Sequence, residues 1–227
     1  MPIPTRPQII PMSTPPHNHQ PPIHYPNLFI FDIDNTLYHS KPSLTSHITT
    51  QALSKLSINH SAARQKILRE CREQYGFSIK GLYARNLLDY DTYCEVIDGV
   101  DYGAIVGCDG DLKSLLGRLD AGKICFTNGE RMHCMRVLDA LGISDAFDYV
   151  VCVDHKDPDF LCKPMEQAFD LLERLFSVKN MTVFFDDDPR NIAVAEQRGW
   201  NAHCVSSVQE MKALLVNTYH EYLRDSL

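Results

Sequence analysis

The chain alternates short apolar runs with stretches in which apolar side chains recur every three or four positions. Leu28-Phe29-Ile30-Phe31 has the length and aromatic content of a buried strand. Leu112, Leu115, Leu116 and Leu119 fall at i, i+3, i+4 and i+7, which places four leucines on one helical face. Gly122 interrupts that pattern, and 123–126 is expected to be the next strand. A helix over 130–141 is expected to close at Gly142, a residue suited to a left-handed cap. The alternation then continues. A strand over 149–153 precedes a helix over 165–176 with Ala168, Phe169, Leu172 and Leu175 inward, and a strand over 181–185 precedes a helix over 190–198 that ends at Gly199. Strand 202–205 and a C-terminal helix follow. Strands separated by helices of this length require crossover connections, so the pattern predicts an α/β fold, a doubly wound parallel sheet with helices on both faces.

Two segments break the alternation. Residues 40–108 offer helical stretches near 44–57, 60–75 and 80–98 and no convincing strand. They are expected to form a small helical cap inserted after the first strand, leaving 27–39 and 109–227 as the core domain. The first 26 residues hold nine of the thirteen prolines, no acidic residue and one basic residue, Arg6. A disordered, polyproline-like tail over 1–26 is expected. It has neither the apolar stretch of a secretory signal nor the arginines of a transit peptide. His17, His19 and His24 within it are expected to be inert, because ordering a tail around a metal costs entropy.

Composition narrows the function classes. Apolar residues make up 44% and charged residues 22%, with a net charge of −7, which argues against a general nucleic-acid or anionic-membrane binder. No run approaches the ~18 apolar residues of a membrane span. The eight cysteines form no C-x-x-C pair, and several lie inside apolar runs, so reduced thiols in a cytoplasmic protein are expected. Oligomeric state is left open.

Open parallel sheets bind ligands at the carboxyl ends of their strands. There the chain places Asp32-Ile33-Asp34-Asn35-Thr36 after the first strand and Thr127-Asn128-Gly129 after the second. Lys163-Pro164 lies in the loop beyond the third, and Asp186-Asp187-Asp188 follows the fourth. Taken singly, each has an ordinary explanation as turn or helix-cap chemistry. Together on one rim they do not, because crowded carboxylates repel unless a cation sits among them, and hard oxygen ligands with open positions suit Mg²⁺. Gly117-x-x-x-x-Gly122-Lys123 matches most of a P-loop, but Ile124 replaces the required Ser or Thr and the order is helix then strand. The first glycine is Gly76, so the first strand carries no dinucleotide fingerprint.

Phe31-Asp32-Ile33-Asp34-Asn35-Thr36-Leu37 resembles the D-x-D-x-T signature of the haloacid dehalogenase-like (HAD) superfamily. Thr127-Asn128, Lys163-Pro164 and Asp186-Asp187-x-x-x-Asn191 resemble its second, third and fourth motifs, in family order, although Asn191 stands where many members have Asp. The resemblance covers about 28–205. It implies a Rossmann-like core with a cap, and a Mg²⁺-dependent phosphomonoesterase that works through an aspartyl-phosphate. In that scheme Asp32 is the nucleophile and Asp34 the general acid and base. Lys163 neutralises the charge shared with the transferring group, Thr127 with backbone N–H groups near the start of the helix over 130–141 binds the phosphoryl oxygens, and Asn128 is a further substrate-binding residue. The resemblance places Mg²⁺ on the Asp32 carboxylate, the Asp34 carbonyl and Asp187, with Asp186 acting through water.

Further stretches resemble the pyrimidine 5'-nucleotidases of fungi and plants: Leu37-Tyr38, residues 74–82, 141–148 and 161–164. This likeness implies UMP or CMP as substrate, with Tyr75 and Lys80 in contact with it. Phe77 and Tyr83 are further candidates for stacking on a base, and Arg85 for meeting a phosphate or carbonyl. Alternatives are a phosphatase for another small ester, such as lysophosphatidate or a sugar phosphate, and a catalytically silent regulatory protein on the same fold. A dehalogenase has no use for Asp34. The expected partner is a small-molecule phosphate monoester, with neither nucleic acid nor membrane.

Overall fold

The computed structural model describes residues 6–12, 21–56, 58, 60–157 and 159–225. Their strands are β1 (Gln8–Pro11), β2 (Ile23–Phe31), β3 (Gly122–Glu130), β4 (Tyr149–Val153), β5 (Phe176–Asp186) and β6 (Asn201–Cys204). They form one sheet in the order β1-β4-β3-β2-β5-β6, and every pairing is parallel. The helices are α1 (Leu44–Lys55), α2 (Ser61–Tyr75), α3 (Ser78–Ala84), α4 (Tyr90–Asp98), α5 (Tyr102–Val106), α6 (Gly110–Arg118), α7 (Arg131–Leu141), α8 (Glu166–Leu175), α9 (Pro189–Gln197) and α10 (Val208–Asn217). The expected helix over 80–98 is in fact α3 and α4. Asp89 separates them by capping α4, its side chain accepting from the Thr92 N–H at 2.7 Å. Gly142 closes α7 with φ 75°.

Strand β2 lies in the middle of the sheet because its apolar run is buried on both sides. Leu28 and Ile30 pack into one core with Ile124, Phe126, Phe169, Phe184 and Trp200. Phe29 and Phe31 point the other way, into a core with Cys125, Val150, Phe185, Leu116 and Leu138. The second core is continuous with the packing of α1 to α5, through Ile48, Leu53, Cys71, Leu82 and Tyr93. Full burial contributes about 1.5–3 kcal/mol for each large apolar side chain.

The proline-rich opening is more ordered than its composition predicts. Residues 8–11 form β1 at the sheet edge, and 23–26 begin β2. The Gln8 and Met12 N–H groups donate to the Asp148 and Cys152 carbonyls at 3.0 and 2.7 Å. In that two-residue rhythm Pro11 faces away from the neighbour and needs no donor, which is how an edge strand tolerates proline. Pro26 sits at a register shift between β2 and β5, ahead of the first β3 pairing at Leu28. Residues 1–5 and 13–20, with His17 and His19, lie outside the described residues. No described helix is long and apolar enough to cross a membrane.

The helices between β2 and α6 pack closely. A Cβ added at Gly81 on α3 would lie 2.3 Å from the Cys71 Cβ and 2.7 Å from the Cys71 Cα on α2. Because part of that overlap is with backbone, the helices must separate to relieve it. Gly81→Ala is therefore expected to destabilise the protein by about 1–3 kcal/mol, exceeding the gain of about 1 kcal/mol from better helix propensity. Urea unfolding of the variant beside the wild type checks this, and an unchanged or raised midpoint would contradict it.

Candidate active site

The chain leaves β2 at Phe31 without at once forming a helix. Asp32 still donates its N–H to the Phe185 carbonyl at 2.9 Å and so stays aligned with the sheet. Asn35 adopts φ 66°, a left-handed conformation that asparagine tolerates better than most residues. The Thr36 and Leu37 N–H groups turn back onto the Ile33 carbonyl. This turn puts Asp32 and Asp34 into one cavity of about 300 Å³. Asp32, Thr127 and Asp187 line it from the ends of β2, β3 and β5, Lys163 from the loop beyond β4, and Ser46, Arg72 and Phe77 from the inserted helices. The site lies where the chain reverses direction across the sheet, from β2 through β3 to β4 on one side and then to β5 on the other.

Lys163 organises the cavity floor. Its ammonium, 1% exposed, donates to Asp32 Oδ1 at 2.7 Å, Asp186 Oδ2 at 2.6 Å and the Phe126 carbonyl at 2.6 Å. Burial would lower its pKa, but the two carboxylates outweigh burial and raise it. Burial pushes the Asp32 carboxyl well above its ordinary value despite the pull of Lys163, and Asp186 and Asp187 add to the rise. The second oxygen of Asp32, Oδ2, is buried and has no hydrogen-bond partner.

Asp186 is fully engaged elsewhere. Besides Lys163, its oxygens accept from the Asn191 amide at 2.9 and 3.0 Å and from the Asp188 N–H at 2.8 Å. It acts as scaffold, so the expectation that it reaches a metal through water finds no free oxygen to carry it. Asn191 thereby has a defined task, bridging both oxygens of Asp186. Asp187 lies in the cavity wall and takes one bond, from the Asn35 amide at 3.2 Å. Burial and the neighbouring Asp186 charge raise its pKa to about 6. Asp188 caps α9 and pairs with Arg190 at 2.6 Å and with Arg72 of α2 at 2.9 Å. The Asp188–Arg72 pair links the core to the inserted helices across the cavity.

Thr127 accepts the Gly129 N–H on its hydroxyl at 3.0 Å. Asn128 lines the cavity, but its side chain clasps the Lys163 backbone, accepting the N–H at 2.7 Å and donating to the carbonyl at 2.9 Å. Its role is to place Lys163, which differs from the expected contact with substrate. Tyr75 and Lys80, by contrast, are not in the cavity wall. Lys80 is spent on the loop ahead of Lys163, donating to the Phe160 carbonyl at 2.6 Å. Arg85 pairs with Glu70 at 3.0 Å, and Tyr83 packs tilted against His155 and edge-on against Phe160. From the stretch 74–82, the residues that reach the cavity are Gly76, Phe77, Ser78 and Ile79. The helix start at Phe77–Ser78 turns that short segment inward and leaves its neighbours on other faces.

Sequence reasoning missed His133. It sits in the first turn of α7, 2% exposed, with Nε2 3.0 Å from each oxygen of Asp34. Gly129 makes room, since a Cβ there would lie 2.9 Å from the His133 ring. Tyr38 also donates to Asp34, and Tyr102 meets His133 Nδ1 at 3.0 Å. Burial alone would raise the Asp34 carboxyl, but the His133 imidazole and the two hydrogen bonds outweigh it and hold the carboxyl below its ordinary value. The available signal was a histidine one helical turn beyond a strand end, on the same rim as the carboxylates.

A protein-family model for haloacid dehalogenase-like hydrolases matches residues 26–199. The chain belongs to the haloacid dehalogenase-like hydrolase family. It is 28% identical over 218 residues to Phosphate metabolism protein 8 of Saccharomyces cerevisiae, covering 86% of this chain and 66% of the yeast protein's length. Among solved structures, HAD-hydrolase YfnB from Bacillus subtilis, described as bound to magnesium, aligns with TM-score 0.57 and 14% identity. That match covers 85% of this chain and 99% of YfnB. The L-2-haloacid dehalogenase of Xanthobacter autotrophicus aligns with TM-score 0.52 and 16% identity, covering 88% and 89%. At such identities the likeness is one of fold.

In this HAD-like chain the loop carrying Lys163 is fastened to the inserted helices by an aromatic box. His155 packs against Tyr83, Tyr93 and Phe160 with ring centroids 5.4, 4.6 and 5.1 Å away. Neither ring nitrogen completes a hydrogen bond. Burial, with a smaller push from His133, lowers its pKa to about 3, although the Asn128 backbone opposes the shift slightly. An unfolded histidine titrates near ~6.5, so below that pH the unfolded chain takes up a proton that the native ring refuses. Stability present above about pH 6.5 is then lost as pH falls toward 3, at up to about 1.4 kcal/mol per pH unit. Between about pH 6 and pH 5 the wild type is expected to lose about 1 kcal/mol more than His155→Phe in urea unfolding. Parallel losses in the two proteins would contradict it.

Proposed function

We propose that this protein is a Mg²⁺-dependent phosphomonoesterase that forms an aspartyl-phosphate on Asp32 and prefers pyrimidine nucleoside 5'-monophosphates. The observation that carries this reading is the state of Asp32: one oxygen anchored on Lys163, the other buried, unpartnered and in a residue that lines the cavity. Such a carboxylate is oriented, desolvated and left with one oxygen to attack. In the first half-reaction that oxygen bonds to phosphorus while the phosphorus–ester oxygen bond breaks. The departing oxygen keeps the electron pair and takes the proton of Asp34. In the second, Asp34 takes a proton from the water that attacks the acyl phosphate, which returns Asp32 as a carboxylate and releases phosphate. His133 favours the ionised Asp34 that the second step needs. A phosphoryl dianion brought beside it raises its pKa by like-charge repulsion, toward the protonated form that the first step needs.

A hard divalent cation would be held by the Asp32 carboxylate, whose Oδ1 keeps a second lone pair beside its Lys163 bond so that Oδ2 stays free to attack, by the lightly engaged Asp187 and by the Asp34 carbonyl. Since one ligand is backbone, it is consistent that no group of three His, Cys, Asp or Glu side chains in ligand geometry occurs among the described residues. Mg²⁺ bound there supplies charge neutralisation to the transferring phosphoryl group. Thr127, in the cavity wall, holds a phosphoryl oxygen, whereas the Met132 N–H at the start of α7 is already taken by the Glu130 carboxylate at 2.7 Å. YfnB is described as bound to magnesium. The wiring of Asp34 favours an ester over an organic halide, because a halide leaves without a proton.

Selectivity rests on the inserted helices, which place Phe77 with the hydroxyls of Ser43, Ser46, Thr49 and Ser78 in the cavity wall. An aromatic face with surrounding hydroxyls suits a nucleoside, and Phe77 takes the base-stacking role.

Asp32→Asn is expected to lower p-nitrophenyl phosphate turnover at least about 100-fold in a protein that still folds. Retention of a tenth of wild-type turnover would remove Asp32 as nucleophile. Mg²⁺ at about 100 times its dissociation constant should add about 2.7 kcal/mol of stability, and Asp187→Ala should reduce both that gain and the activity. Full activity in excess EDTA would sink the metal assignment. For substrate, kcat/KM for UMP or CMP should exceed that for AMP, GMP and glycerol phosphate, and Phe77→Ala should narrow the gap. Equal cleavage of purine and pyrimidine nucleotides, with a clear preference for a non-nucleotide ester, would leave the phosphatase reading without its nucleotide part.

A further inference from the structure

Asp34 is held more rigidly than a carboxylate at a turn requires. Both oxygens lie 3.0 Å from a single atom, His133 Nε2, and the Tyr38 hydroxyl donates to one of them. An ionised carboxylate only accepts, so Nε2 carries the hydrogen on the Asp34 side, while Nδ1 meets the Tyr102 hydroxyl 3.0 Å away. Tyr102 is itself fixed. The Arg136 guanidinium lies 5.8 Å from the centre of its ring and donates to the Ile97 carbonyl at 2.7 Å, at the end of α4. The chain Asp34–His133–Tyr102 thus joins the turn after β2, the first turn of α7 and helix α5.

We propose that His133 is a positioning residue for proton transfer to the leaving oxygen: it sets the plane and rotamer of Asp34, and Tyr102 sets His133. This rests on the reading of Asp34 as general acid. As the Asp32–phosphorus bond forms and the phosphorus–ester oxygen bond breaks, the ester oxygen takes the Asp34 proton, and the effectiveness of that transfer depends on where Asp34 points. A purely structural His133, present only to satisfy a buried carboxylate, makes a different prediction. Its loss would slow all esters alike.

The two are separated by leaving group. An alkyl phosphate needs its departing oxygen protonated, whereas p-nitrophenolate departs without a proton. The quantity to measure is kcat/KM, which ends at departure of the alcohol and is blind to the common acyl-phosphate hydrolysis. Asp34→Asn serves as reference for full loss of the acid. His133→Leu is expected to lower kcat/KM for an alkyl ester about 10- to 100-fold more than for p-nitrophenyl phosphate. His133→Gln, which returns an N–H near the Nε2 position, should recover most of that difference. Tyr102→Phe should shift the ratio in the same direction by at least about threefold, and it decides the matter with His133→Gln if His133→Leu does not fold. Equal losses on both esters in folded variants, or no change in the ratio, would overturn the positioning role while Asp34→Asn still discriminates. If Asp34→Asn itself slows both esters equally, the acid role of Asp34 falls and this inference with it, while Asp32 and its test stand untouched.

Discussion

Lys163 carries a positive charge into a volume almost closed to water, and three oxygens hold it there. Removing an ammonium from water costs several kcal/mol even after the protein relaxes, so the charge persists only where its partners are equally fixed. Those partners come from the three central strands: the Phe126 carbonyl from β3, Asp32 from the end of β2 and Asp186 from the end of β5. The rings of Phe126 and Phe184 face the ammonium at 5.2 and 5.4 Å. One side chain therefore cross-links the strand ends that build the cavity floor. The same contact orients Asp32 and leaves its other oxygen open.

This arrangement gives neighbouring carboxylates different work. Asp186 ends β5 pointing into the core and is consumed by Lys163, Asn191 and the Asp188 N–H. Asp187, one residue on, faces the cavity with a single amide bond, as alternation along an extended chain requires. Asp32 and Asp34 differ for another reason. Asp32 answers to a lysine and rises in pKa through burial, whereas Asp34 answers to His133 and Tyr38 and falls. Paired acids with environments that push their pKa values apart are suited to distinct roles in one reaction.

The inserted helices meet the core through the Asp188–Arg72 pair, the Lys80 bond to the Phe160 carbonyl, and the rings around His155. The last two contacts act on the loop that delivers Lys163. The cavity wall that faces a leaving group is thereby tied to the residue that organises its floor.

The strand and helix order was legible in the chain because each element is buried on a regular face, and period alone reveals that. The rim residues were legible for a related reason: parallel strands deliver their C-terminal residues to one edge, so Asp32, Thr127, Lys163 and Asp187 could be grouped before any distance was known. Strand β1 was hidden because proline content argues against order, whereas an edge strand offers every second residue freedom from donating. The functions of Asn128, Asp186 and Asn191 as scaffold depend on which way each side chain turns, which neighbouring residue types do not specify. Tyr75 and Lys80 lie beside Phe77 in the chain but not in the cavity, since a helix start sends adjacent residues to different faces. His133 meets Asp34 across 99 positions, and no local pattern encodes a contact that exists only after α7 has packed on β3 and β4.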